Sequence, residues 1–480
     1  MSDNKKRVII LGAGPCGLTA AWELSNKGYD VVVIEKDGEV GGLCKTTSHR
    51  ASAESFTPGE TYRFDLGGHR FITKNKRLMT MVTDLMREDM LVAHRKSVIL
   101  LREREFEYPL NIKNLFKNLD FTLFMRAGID YLLKPFLSGS VDDKSFEGWI
   151  KTRYGKTLYD LFFGPYTEKL WGISPTQISS DWAVQRISAL DLKDMILNLM
   201  KLKNKEKRTF TKRFFYPKEG IGQIFDKMQV AVEQNGGKIY FNSRAESVES
   251  VDGSVRAVTI NENGERKRIE CDHLISTIPV DGLCDILVDD GEKGVLPKLS
   301  YRSLRFLNVL VDKEKISDNT WLYVSEAKYF MTRIQEPKKR SPFSAPDGKT
   351  SVMLEIPCNV GDETYSCSDE KLFDRGMDGL KALGFDLKGL SSDFFTTYAD
   401  HAYPVYSLDY KENVAELIKV TNRYDNLITC GRQGLFRYIF MDTAMEMGLL
   451  AADKIMGSAT MADIHSVGLE KDLLEVKSIV

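Results

Sequence analysis

The chain is 480 residues long, 42% hydrophobic and 28% charged, which fits a globular protein with a sizeable core and excludes disordered, fibrous and membrane-spanning compositions. Lys plus Arg number 67 against 68 Asp plus Glu, so the net charge of -1 gives no global pull toward nucleic acid or an anionic membrane, and any anion site must be local. Seven scattered cysteines without a CxxC pair, with only six histidines, argue against a metal centre or a disulfide framework and point to a reducing cytoplasm.

The apolar run behind the first basic residues is strand length, too short for a signal peptide, and no stretch of about 18 uncharged apolar residues predicts a membrane span. That run, Arg7–Leu11 (RVIIL), reads as a buried parallel strand. Gly12, Gly14 and Gly17 then complete GxGxxG, and residues 18–27 continue as a helix. Glycines at these places let the chain turn tightly, bring backbone N–H groups against a pyrophosphate and pack helix on strand, while the helix N-terminus favours negative charge. A second strand, Asp30–Ile34, ends at Glu35, placed to accept hydrogen bonds from the hydroxyls of an adenosine ribose. Lys36 and a second glycine pair, Gly41 and Gly42, follow with Leu43. Further on, Phe64 to Phe71 (FDLGGHRF) forms a glycine turn at Gly67 and Gly68 beside His69.

Residues 108–200 carry helical periods, as at 158–170 and 189–202, and predict a helical insertion that forms a lid or a substrate wall. The basic stretch 201–218 suits an anionic ligand or a membrane surface, although a solvated face is the simpler reading. A helix at 223–235 and strands at 238–242, 255–260, 266–271 and 273–279 are expected next. Alternating and β-branched runs at 304–311, 320–324, 329–334 and 350–356 predict an antiparallel sheet. A last strand, 426–430, leads into a helix over 441–455.

The second glycine pair and the GGH turn resemble those of FAD enzymes such as amine oxidases, protoporphyrinogen oxidases and UDP-galactopyranose mutases. Four further patches resemble the mutases in particular. These are Tyr166 to Gly172 (YTEKLWG) with Arg186 behind it, Tyr301 to Phe306 (YRSLRF), the Tyr403–Pro404 turn, and a C-terminal block of Gly431, Arg432, Gly434, Arg437, Tyr438, Met441 and Asp442. The resemblance implies an α/β fold in which a discontinuous Rossmann-like FAD-binding domain (1–105, 213–290 and 401–480) carries a helical insertion (106–212) and an antiparallel-sheet substrate domain (291–400). It assigns FAD to Gly12, Gly14, Gly17, Glu35, Lys36, Gly42, Leu43, Gly67, Gly68, His69, Ala245, Gly431, Arg432, Met441, Asp442 and Thr443, with His69 beside the flavin ring. It assigns the substrate to Trp171, Arg186, Arg302, Tyr403 and Tyr438, and the chemistry to His69, Arg186, Arg302 and Tyr438; forked guanidiniums and phenols suit the pyrophosphate of a UDP-sugar.

The sequence also departs from the mutase pattern. Ile72 replaces a second histidine, Leu170 stands where a glutamine precedes the tryptophan, and the spacing from Trp171 lets either Gln185 or Arg186 face the substrate. The implied reaction interconverts pyranose and furanose forms of a nucleotide sugar on reduced FAD, with a reductant such as NAD(P)H and no net redox change. The alternative is an oxidoreductase of the amine oxidase or protoporphyrinogen oxidase type, which shares every FAD motif.

Overall fold

The computed structural model describes residues 5–52, 57–108, 110, 112–137, 143–187 and 213–469. Its base is a five-stranded parallel sheet in the order Leu427–Thr429, His273–Ser276, Arg7–Leu11, Asp30–Ile34, Lys238–Tyr240. Strands as uniformly apolar as RVIIL and DVVVI lack a polar face because both faces are covered. One face packs on helices Pro15–Asn26, Gln223–Gln234 and Met441–Ile455; the other packs on a three-stranded meander, Ser243–Val251, Ser254–Glu262 and Glu265–Glu270. The sheet is thus assembled from distant stretches of chain. Cys16 on the first helix and Cys430 after the last strand bring their sulfurs to 3.4 Å across 414 residues.

A seven-stranded sheet stands beside it, ordered Leu390–Pro404, Tyr301–Val311, Thr350–Cys358, Arg333–Gln335, Trp321–Val324, Ser97–Leu101, Arg104–Glu107. Pairing is antiparallel except where Ser97–Leu101 lies parallel to Trp321–Val324. Two of its features differ from the sequence reading. Leu390–Pro404, the 15-residue edge strand, was not expected, because alternation in SSDFFTTYADHAYP is diluted by polar residues on both faces. The 329–334 strand is confined to Arg333–Gln335, since the chain before it turns to close a hairpin in which Val324 N donates to Thr332 O at 2.9 Å. Ser97–Leu101 and Arg104–Glu107, which precede the helical stretch, form the far edge of this sheet, and their tight turn sets Arg102 and Glu103 at φ of 51° and 61°.

The helical region holds Ile112–Asn118, Phe121–Leu137, Phe146–Tyr154, Gly164–Trp171 and Ser180–Ile187 around a shared aromatic core. The helix expected at 189–202 and the basic residues 201–212 lie outside the described residues. Among the described residues no helix is long and apolar enough to cross a membrane.

Candidate active site

The three glycines of the first loop have separate causes. A Cβ on Gly17 would sit 2.0 Å from Gly12 O, and one on Gly12, at φ of 97°, would sit 2.5 Å from Thr277 Oγ1. Gly14 differs, for a Cβ there would meet nothing within 4 Å. It opens onto free space at the N-terminus of Pro15–Asn26, where unpaired N–H groups and the helix dipole favour an anion. Gly42 closes on it, its own Cβ position 3.3 Å from Gly14 Cα, and Gly41 N donates to Ala13 O at 2.9 Å.

Glu35 is 5% exposed at the end of its strand. Its Oε2 accepts from Ala13 N at 2.6 Å and its Oε1 from Asp37 N at 2.9 Å; burial raises its pKa and these two amides oppose the rise. Ser243 N donates to Glu35 O at 2.9 Å, which sets the meander strand bearing Ala245 beside the acid, while Lys36 points to solvent and Leu43 is half-buried. From the far end of the chain, Gly431 (φ 82°) packs on Cys16, and Met441, Asp442 and Thr443 are buried in the first turn of Met441–Ile455. Arg432 ties two segments together by donating to Ala402 O at 3.0 Å and to Ile439 O.

The GGH turn lies against strands of the seven-stranded sheet. Gly67 needs its φ of 111°, and a Cβ on Gly68 would fall 2.5 Å from Trp321 Nε1 and 3.0 Å from Arg333 Nη1. Beneath the turn is a dense polar cluster. Arg333 donates to Glu355 Oε2 through Nε (3.0 Å) and Nη2 (2.5 Å), Gln335 Nε2 donates to the same oxygen at 3.2 Å, and Tyr403 Oη donates to Glu355 Oε1 at 3.3 Å. Arg340 donates to Gln335 Oε1 at 2.6 Å and lies 3.9 Å from Asp65, which also accepts from Tyr216 and Ile221 N. His69 is drawn down to about 3 by burial and then by Arg432, Arg340 and Arg333, so its imidazole is neutral; its Nδ1 is enclosed without a hydrogen-bond partner among the described residues.

An aromatic wall faces this turn. Trp171 meets Trp182 edge-on at 4.8 Å and Tyr403 at 5.9 Å, and Tyr438 lies 4.9 Å from Trp182 and 5.4 Å from Tyr403. Tyr403 and Tyr438 are therefore brought together with Trp171, as expected from sequence. Arg302 is nearby but occupied. At 6% exposure it donates to Leu170 O (3.0 Å), Lys169 O (3.4 Å) and Asn359 Oδ1 (2.6 Å), which caps the C-terminus of Gly164–Trp171. Arg186 lies on Ser180–Ile187, and its side chain falls outside the described residues. A cation at the GGH turn that sequence reasoning passed over is Arg333, which stands there with Arg432 and Arg340. Its signal, an Arg and a Glu on neighbouring strands, becomes visible only once the register sets Arg333 opposite Glu355.

Residues 15–456 match the family model of flavin-containing amine oxidoreductases, most of the chain. The chain belongs to that family. Like other flavin-containing amine oxidoreductases it takes FAD as cofactor, and the cradle fits the group: open space at Gly14, a helix N-terminus, an acid at the second strand and an unpartnered His69 Nδ1 at the GGH turn. Among relatives, a probable UDP-galactopyranose mutase of Klebsiella pneumoniae is 26% identical over 175 residues, 36% of this chain and 43% of that protein. A protoporphyrinogen oxidase 2 of Arabidopsis thaliana is 23% identical over 346 residues, 65% of each chain. In fold, the chain superposes on reduced UDP-galactopyranose mutase with a TM-score of 0.81 at 22% identity, covering 98% of this chain and 99% of that one. A putative protoporphyrinogen oxidase from Exiguobacterium gives 0.66 at 16% identity, over 94% and 99%. The fold is thus a mixed α/β flavoprotein fold, and the chain is a flavin enzyme of the amine oxidoreductase family.

Proposed function

We propose that this family member interconverts pyranose and furanose forms of a nucleotide sugar. The observation that carries the reading is the side-chain cluster at the GGH turn, where Arg333, held on Glu355, stands with Tyr403, itself packed on Tyr438 and Trp171. A pyrophosphate is met there by the Nη1 of Arg333, which the Glu355 pair does not use, and by phenol donors, and a sugar ring by indole and phenol faces. In this reading Arg333 takes the cationic task that the resemblance gives to Arg302, while Arg302 holds the wall helix. Gly12, Gly14, Gly17, Gly42, Gly431 and the turn at Met441, Asp442 and Thr443 hold the dinucleotide, and Glu35 its ribose.

Reduced FAD supplies the covalent chemistry at the anomeric carbon, after reduction by a donor such as NAD(P)H. The chain's residues would bind, orient and exclude water: buried Trp171 and Trp182 would keep solvent from the reacting groups, and neutral His69 would accept or donate a hydrogen bond to the flavin without adding charge. The second reading, a net oxidoreductase, draws support from the longer alignment to protoporphyrinogen oxidase. Incubating oxidised and dithionite-reduced protein with UDP-galactopyranose separates them. Furanose formed only by the reduced enzyme supports the mutase, whereas absence of UDP-sugar binding together with flavin reduction by an amine or polyene overturns it.

A further inference from the structure

Lys169 is buried, which works against its charge, and no carboxylate pairs with it directly, although Glu326 favours the charge from a distance. The nearest, Glu326, is engaged elsewhere, by Arg102 N at 2.9 Å and Lys328 Nζ at 3.3 Å. In place of an ion pair, the Lys169 ammonium sits in a cage of four backbone carbonyls: Val324 O at 2.7 Å, Glu326 O at 2.9 Å, Tyr329 O at 3.0 Å and Met331 O at 2.9 Å. Four carbonyl dipoles pointing at one spot repel each other unless a cation fills it, so this loop keeps its shape because the ammonium is there.

The cage joins the wall helix to the loop that leads into Arg333. On the helix side, Lys169 lies between Tyr166 and Trp171 on Gly164–Trp171. On the loop side, Met331 is two residues before Arg333, and Thr332 fixes the intervening backbone by donating from N to Glu355 O at 2.9 Å. Tyr323, at the start of the same loop, touches both sides, with the Tyr166 ring at 6.4 Å and the Arg333 guanidinium over its face at 5.8 Å.

We propose that Lys169 is a positioning residue for Arg333, its caged ammonium clamping the helix of the aromatic wall onto the loop that delivers Arg333 to the flavin-facing turn. The proposal rests on the reading that the flavin ring lies against Gly67 to His69, within reach of Arg333's charge; it does not depend on which substrate is used. A guanidinium at the ring favours the anionic reduced flavin, so losing it or misplacing it moves the midpoint potential of bound FAD to more negative values.

The test measures that potential by dye-equilibrated titration in the full-length holoprotein and in Lys169→Met, Arg333→Met and the double variant, with circular dichroism as a check on folding. Should Lys169→Met fail to retain FAD, Lys169→Gln, which keeps two N–H donors, takes its place. Both single variants are expected to shift negative by similar amounts, and the double variant no further than Arg333→Met alone. An unchanged potential in the Lys169 variant beside a shifted Arg333→Met overturns the clamp and leaves the ring placement standing. Additive shifts overturn it as well, since Lys169 would then act through its own charge. No shift in Arg333→Met overturns the clamp and the ring placement together.

Discussion

At the residue scale the site depends on charges placed where solvent cannot relax them. His69 is surrounded by burial and by Arg432, Arg340 and Arg333, and its pKa falls to about 3. In the unfolded chain it returns to about 6.5, so the unfolded state binds more protons between those values. Stability held by the neutral imidazole is therefore fully present above about pH 6.5 and declines as pH falls toward 3. Against His69→Gln, urea unfolding of the wild type should lose on the order of 1–2 kcal/mol between pH 7 and pH 5; parallel curves for the two proteins would mean an ordinary imidazole. The identity of His69, Gly67 and Gly68 was legible in sequence because the turn is local. Arg333 was not, since its partner Glu355 stands 22 residues away and only sheet register joins them.

At the scale of elements, the glycine loop separates packing from binding. Gly17 is required by the protein itself, as the 2.0 Å approach of its Cβ position to Gly12 O leaves nowhere for a methyl group. Gly14, whose φ of -74° suits alanine, has only empty space before it. Gly14→Ala should leave the stability of the FAD-free protein within about 0.5 kcal/mol while weakening FAD binding tenfold or more, whereas Gly17→Ala should cost about 1–3 kcal/mol or more. Thermal melts and flavin-fluorescence titrations of both variants check this, and equal effects would refute the division. Strand, turn, helix, strand and acid follow in sequence within 35 residues, so this unit could be read directly. Leu390–Pro404 could not, because an edge strand with polar residues on both faces has no period to detect.

Across the whole molecule, the cradle proposed for the cofactor draws on residues 12–42, 243–245 and 431–443, and the GGH turn sits against strands of the second sheet. Binding FAD should therefore stabilise both sheets at once. At a concentration 100-fold above Kd the gain is about 2.7 kcal/mol, which should appear in calorimetry as one transition moved up by a few degrees; two transitions, with one unmoved, would show that the sheets unfold separately. The cofactor and the first parallel strands followed from residues close together in the chain, where hydrophobic pattern and turn chemistry act over one or two elements. Which arginine stands at the GGH turn and which caps a helix was decided by the fold. Arg302 and Arg333 are equally basic in sequence, and only the neighbours that tertiary packing supplied, two helix carbonyls and Asn359 for the one and Glu355 beside a glycine turn for the other, give them different work.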